Sequence, residues 1–144
     1  MGILLNNIEA NTLVDFFVEK ADRKDGDPNK APEGLSGNKP AKSIKIGDYV
    51  PVYEPSTGIN TRFKITNIVK QEGQTCKKAI FNSSGFIVYN STCNISVGDS
   101  TFDQNGGTVT VETIEDMPGT YTTYSFELEQ GNNYQANDIV VNVE

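Results

Sequence analysis

The feature that most constrains this chain is an internal repeat. Ser43-Ile44-Lys45-Ile46-Gly47-Asp48 returns later in the chain as Asn94-Ile95-Ser96-Val97-Gly98-Asp99. Each copy leads into a strand, a Gly-containing turn and a second strand, ending near Ile68 in one half and Ile114 in the other. The stretches Thr75 to Asn94 and Thr120 to Asn142 extend the parallel, since both read as strand, Gly turn and aromatic-bearing strand. Two units are too few for a solenoid, which stacks three or more. A duplicated β architecture with a pseudo-twofold axis accommodates them.

Strand patterning supports that reading. Thr12 to Val18, Tyr49 to Tyr53, Phe63 to Val69, Phe86 to Tyr89, Thr108 to Ile114, Tyr124 to Leu128 and Asp138 to Val141 are rich in β-branched and aromatic residues, and most alternate apolar with polar. Turn signals separate them: Pro55-Ser56-Thr57-Gly58, Ser83-Ser84-Gly85, Gln104-Asn105-Gly106-Gly107 and Gln130-Gly131-Asn132-Asn133. Pro51 marks a strand edge or a strand start, because proline cannot donate to a ladder. Ile8 to Lys20 has room for one helical turn, and no longer segment carries a helical apolar stripe. Residues 21–42 hold Gly, Pro, Asp, Asn and Lys with almost no large apolar side chain, the composition of a long loop. The expectation is a single all-β domain over residues 1–144.

Composition removes several function classes. With 12 basic against 19 acidic residues the net charge is -7, which disfavours phosphate backbones and anionic membranes, so no nucleic-acid or membrane partner is expected. Lys42, Lys45, Lys77 and Lys78 are too scattered to make a basic stripe. Apolar runs such as Ile139-Val140-Val141 are far too short to span a bilayer. Met1 to Leu5 has neither the basic region nor the apolar length of a signal peptide, and Asn6 stands where myristoylation wants Ser or Thr. There is no histidine, hence none of the side chain most used for proton transfer near neutrality and for zinc. Cys76 and Cys93 are two free thiols or one disulfide; nothing else points to an oxidising compartment.

Other constellations have plain readings. Asp22, Asp25 and Asp27, with Glu33 further on, suggest calcium, but Lys24 and Gly26 fall where oxygen ligands belong, so a solvated acidic loop is expected and no metal or cofactor. Asp48 and Asp99, each after a Gly, fit turn-capping better than catalysis. Asn82-Ser83-Ser84, Asn90-Ser91-Thr92 and Asn94-Ile95-Ser96 match the N-glycosylation pattern as chance would allow in so polar a chain. Phe16, Phe17, Tyr49, Tyr53, Phe63, Phe86, Tyr89, Tyr124 and Phe126 are expected in the core and in cross-strand pairs.

Several of these segments together resemble the Hedgehog/intein (Hint) module. Thr12-Leu13-Val14-Asp15 is similar to the strand after its nucleophile, and Ile44-Lys45-Ile46-Gly47-Asp48-Tyr49-Val50 to its Ile-x-x-Gly-Asp-x-Val segment. Ser91-Thr92-Cys93-Asn94 stands in the place of the Thr/Ser-x-x-His motif. Tyr124 to Glu129 with Gly131 to Val141 is similar to the closing pair of strands, so the resemblance covers most of the chain outside 21–42. It implies a horseshoe of short, duplicated strands, in agreement with the repeat.

The family chemistry needs a Cys, Ser or Thr nucleophile, a histidine promoting the acyl shift and, for splicing, a terminal His-Asn pair whose Asn cyclises. Here the nucleophile position falls at Asn7 or Ile8, the motif histidine at Asn94 and the closing pair at Asn142-Val143. The expectation is therefore a non-enzymatic, degenerate member: a structural or interaction module whose partners are proteins, its own copies or a larger assembly. Acidic, Asn- and Gly-rich β-domains of this kind resemble small phage virion proteins such as capsid-decoration or tail components, which would place the chain in the virion and otherwise in the cytoplasm. The alternatives are self-processing through an unorthodox nucleophile, Thr12 or Cys93, and a calcium- or small-ligand-binding β-domain.

Overall fold

The structure is a computed structural model that describes residues 3–17, 36–54 and 56–143. Among the described residues twelve strands follow one another: β1 (Ile8–Glu9), β2 (Leu13–Phe17), β3 (Ser36–Pro40), β4 (Tyr49–Glu54), β5 (Ile59–Gln74), β6 (Cys76–Phe81), β7 (Phe86–Asn90), β8 (Ser100–Phe102), β9 (Thr108–Asp116), β10 (Tyr121–Leu128), β11 (Asn133–Ala136) and β12 (Ile139–Asn142). A 3-10 turn at Ala41–Ser43 is the one helical element among the described residues. Hydrogen bonding runs in the order β12-β11-β2-β4-β5-β10-β1-β7-β6-β9-β8, with β3 on β2. Every named strand pair is antiparallel, and Leu4 adds one parallel bridge to Asn142.

The repeat is written into the backbone. Gly47 N–H donates to Ile65 O at 2.8 Å, Ile65 N–H to Asp48 O at 2.8 Å and Asp48 N–H to Lys45 O at 3.0 Å. The second copy reproduces the set, with Gly98 N–H on Val111 O at 2.9 Å, Val111 N–H on Asp99 O at 2.8 Å and Asp99 N–H on Ser96 O at 3.1 Å. Just beyond, β5 skips Thr66 in its register with β10, and β9 skips Glu112 in its register with β6, so each half carries the same β-bulge. The halves exchange strands: β5 of the first pairs with β10 of the second, and β9 of the second with β6 of the first.

Strand alternation sends one residue in two inward, and the core joins both halves. Ile8, Val14, Val50, Ile65, Phe81, Ile87, Tyr89, Phe126, Tyr134 and Val141 are fully buried. Phe126 and Tyr134 meet edge to face, with centroids 5.4 Å apart. Phe86 departs from the expected role of the aromatics: it is 44% exposed, with Lys78 Nζ 4.5 Å above its ring.

Two other expectations are corrected. Ile8 to Lys20 holds no helical turn in its described part, because β1 and β2 occupy it. The loop expected over 21–42 ends earlier, since Ser36–Pro40 forms β3, paired residue for residue with β2. Its polar sequence hid the strand; the ladder, Gly37 against the Phe16 ring and Lys39 Nζ 4.4 Å over that ring hold it. Asp22, Asp25, Asp27 and Glu33 lie outside the described residues. Pro51 is interior to β4, opposite Arg62, but β4 meets β2 only at Phe17–Tyr49, so the edge reading of this proline holds.

Candidate functional site

A cleft of about 660 Å³ opens where the first residues of the chain, the turn after β7, β10 and the end of β12 converge. Asn7, Cys93, Asn94 and Val143 line it, together with Leu4, Asn6, Val69 and Glu127. Antiparallel pairing explains the convergence. Ile8 is bridged to Tyr124 on one side and Tyr89 on the other, which seats β1 between the two halves. Asn142 N–H donates to Ile3 O at 2.7 Å and Leu5 N–H to Asn142 O at 3.2 Å, which lays the end of β12 beside residues 3–5.

The structure separates the two candidates for the nucleophile position. Ile8 is fully buried in the core, whereas Asn7 borders the cleft. Asn7 O accepts from Asn90 N–H at 2.8 Å, and Asn7 Nδ2 donates to Gln71 Oε1 at 2.9 Å. Its Oδ1 is buried without a hydrogen-bond partner. Asn94 is exposed on the cleft wall. Of the closing pair, Val143 faces the cleft while Asn142 serves through its backbone.

Cys93 lies beside Asn94, its N–H closing the turn on Asn90 O at 2.9 Å. Burial, with the Cys76 thiol adding to it, pushes the Cys93 thiol up to about 11, so it is protonated near neutrality and a poor nucleophile. Burial raises Cys76 as well, with Glu9 contributing, and both cysteines are free thiols. Tyr134, wholly buried, has its phenol driven far up by burial, and its Oη donates to Asn6 Oδ1 at 3.1 Å. Thr12, the other candidate nucleophile, is buried just before β2 and is not among the residues bordering the cleft.

Sequence reading missed the amide groups around these positions. Asn6 Nδ2 donates to Phe126 O at 2.7 Å while Phe126 N–H donates to Asn6 Oδ1 at 2.9 Å, so one side chain reproduces a peptide's pair of ladder bonds. Asn90 Nδ2 reaches Gln74 Oε1 at 3.0 Å and Thr123 Oγ1 at 3.4 Å, and its Oδ1 accepts from Thr92 N–H and Oγ1. The doubled Asn6-Asn7 was the available signal, though only the fold shows what it meets. Among the described residues no group of three or more Cys, Asp or Glu is placed to hold a metal.

Solved structures match nearly the whole chain. The gp41-1 intein is 14% identical, with a TM-score of 0.66 over 95% of this chain and 98% of its own. The bacterial intein-like domain from Clostridium thermocellum is 16% identical, with a TM-score of 0.66 over 96% and 99%. A variant of the Ssp DnaB mini-intein is 11% identical, with a TM-score of 0.70 over 99% and 96%. The chain has the Hint fold. No family model matches it, and no curated protein does. Across its two halves this chain pairs β5 with β10 and β9 with β6, and Asn7, Asn94 and Val143 stand on the cleft wall.

Proposed function

We propose that this chain is a non-catalytic Hint-fold module with a structural or interaction role. The observation that carries the reading is Asn7 on the wall of the cleft, at the position where the resemblance places a nucleophile. Asn7 has no thiol or hydroxyl to accept the acyl group of an N-to-S or N-to-O shift, and the nearby thiol of Cys93 is held protonated by burial. The absence of histidine removes the proton carrier on which the acyl shift depends. The closing position is Val143, whose side chain has no amide to cyclise.

The setting we propose is a virion or comparable protein assembly, supported by the acidic, Asn- and Gly-rich composition and the chain's small size. Intact mass tests the non-catalytic reading. After long incubation at neutral pH with and without dithiothreitol, the chain is expected to remain one species at 15.7 kDa. A thiol-dependent fragment, lost in Cys93→Ser or Thr12→Val, would overturn it in favour of self-processing.

A further inference from the structure

The strand exchange leaves one long stretch of β5 with a single neighbour. β4 pairs with β5 only from Ile59 to Lys64, and Ile65 is bonded to the Asp48 turn. From Thr66 to Gly73 the strand is paired with β10 alone among the described residues, and all of these positions except half-buried Ile68 are exposed. Alternation fixes which backbone groups face outward. Phe126 stands opposite Ile68, and both its N–H and its C=O are taken by the Asn6 side chain on the side away from β5. Ile68 and Phe126 are therefore a non-hydrogen-bonded pair, and the N–H and C=O of Ile68 point to the open edge. Two residues on, with no break in register, Lys70 opposite Tyr124 does the same.

We infer that this edge of β5 is a self-association surface, on which a second copy of the chain adds its own β5 antiparallel about Val69. The register follows from the outward groups: Ile68 of one copy exchanges hydrogen bonds with Lys70 of the other, and the reverse. The two Val69 residues then form the central non-hydrogen-bonded pair, the closer of the two kinds. Val69 is 45% exposed in one copy, apolar surface that this pairing covers. Lys70, which on an open edge would deter pairing, has its charge matched by Glu72 at 3.4 Å, so the edge is neutral in a chain of net charge -7. Such a contact is isologous and closes as a twofold dimer.

The second half supplies the contrast. Beyond the equivalent bulge, β9 has the same open edge among the described residues, with β8 ending its pairing at Thr110 and Val111 bonded to Asp99. There Glu112, Glu115 and Asp116 crowd the strand, and a twofold pairing about Glu115 would set like charges face to face. Charge thus selects β5 and excludes β9. The inference deepens the proposed interaction role by naming a second copy as the partner, and it fails independently of the absence of self-processing.

Light scattering on the full chain over a wide concentration range tests it. The mass is expected to rise from 15.7 kDa toward twice that value with concentration. Lys70→Pro removes only an outward N–H, so it should fold, with an unchanged far-ultraviolet circular dichroism spectrum, and remain monomeric. Val69→Lys, which changes no backbone group, should also be monomeric. Gln71→Pro, whose N–H faces β10, should lose the folded spectrum. A wild-type chain that stays monomeric, or a folded Lys70→Pro or Val69→Lys that still dimerises, would overturn the inference.

Discussion

Gly47 and Gly98 both adopt φ of 97°, and each is followed by an aspartate whose Oδ2 accepts a backbone N–H three residues back, from Lys45 at 2.8 Å and from Ser96 at 2.9 Å. No neighbouring atom crowds either glycine, so the left-handed backbone alone requires it. Alanine at either position is expected to cost about 1 to 2 kcal/mol, read from chemical denaturation. The aspartates, chemically alike in sequence, are not equivalent. Asp48 is buried and paired with Lys39 at 2.8 Å, whereas Asp99 is half-buried and has no such ion pair among the described residues. Asp48→Ala should cost about 2 to 3 kcal/mol and Asp99→Ala about 1 kcal/mol. Asp15 supplies the pH dependence. Burial, with the Asp138 carboxylate adding to it, raises Asp15 from 3.8 to about 6. Between those values the folded chain binds a proton that the unfolded chain has released, so this group's stabilising contribution is complete below pH 3.8 and is lost as pH rises through about 6. Asp15→Asn should flatten that part of a melting-temperature profile and raise the melting temperature at pH 8 relative to wild type.

At the scale of elements, asparagine side chains join strands where the backbone ladders break. Asn133 Oδ1 accepts from Tyr53 N–H at 2.8 Å and its Nδ2 donates to Tyr53 O at 2.9 Å, tying β11 to β4 although the two share no ladder. Asn137, at φ of 49°, accepts from Leu13 N–H at 3.0 Å and donates to Phe86 O at 2.7 Å, linking the β11–β12 turn to β2 and β7. Asn6 does the same for Phe126. This gives the Asn-rich composition a physical reason, for an amide side chain carries the donor and acceptor of a peptide without needing a strand to present them. Asn133→Leu leaves both Tyr53 groups buried and unpaired and should cost about 2 to 4 kcal/mol. Asn137→Ala, at an exposed turn, should cost about 1 kcal/mol. Urea unfolding with unchanged slope is the check for both. The strands themselves were legible where β-branched and aromatic residues alternate, as in β7, β9, β10 and β12. β3 was not, because Ser36-Gly37-Asn38-Lys39-Pro40 has no apolar face and is a strand only by virtue of β2 beside it.

Across the whole molecule the two halves cannot separate without breaking ladders, since each lends a strand to the other. The segment before Asn7 belongs to that shared body: Ile3 and Leu5 are buried, and Leu5 is held against the end of β12. Leu5→Ala should therefore cost about 2 to 5 kcal/mol, as for any fully buried leucine, when measured by denaturation. A loss below about 0.5 kcal/mol, the scale of an exposed substitution, would show that residues 3–5 are an appendage. Of the cleft, the sequence pointed to Asn7 or Ile8, Asn94 and Asn142-Val143. The fold places Asn7 and Val143 on the cleft wall and buries Ile8, because strand pleating sends neighbouring side chains to opposite faces and only pairing decides which face is which.

The sequence by itself determined the all-β class, the duplication and the absence of histidine, because residue type, alternation and repetition are local properties of the chain. Tertiary structure decided the rest: the exchange of β10 and β6 between the halves, the cleft that gathers Asn7, Cys93, Asn94 and Val143, the strand character of Ser36–Pro40 and the neutral open edge of β5. Each of these depends on which strands become neighbours. That choice is made by burying both halves in one core, and no single segment of the chain carries it.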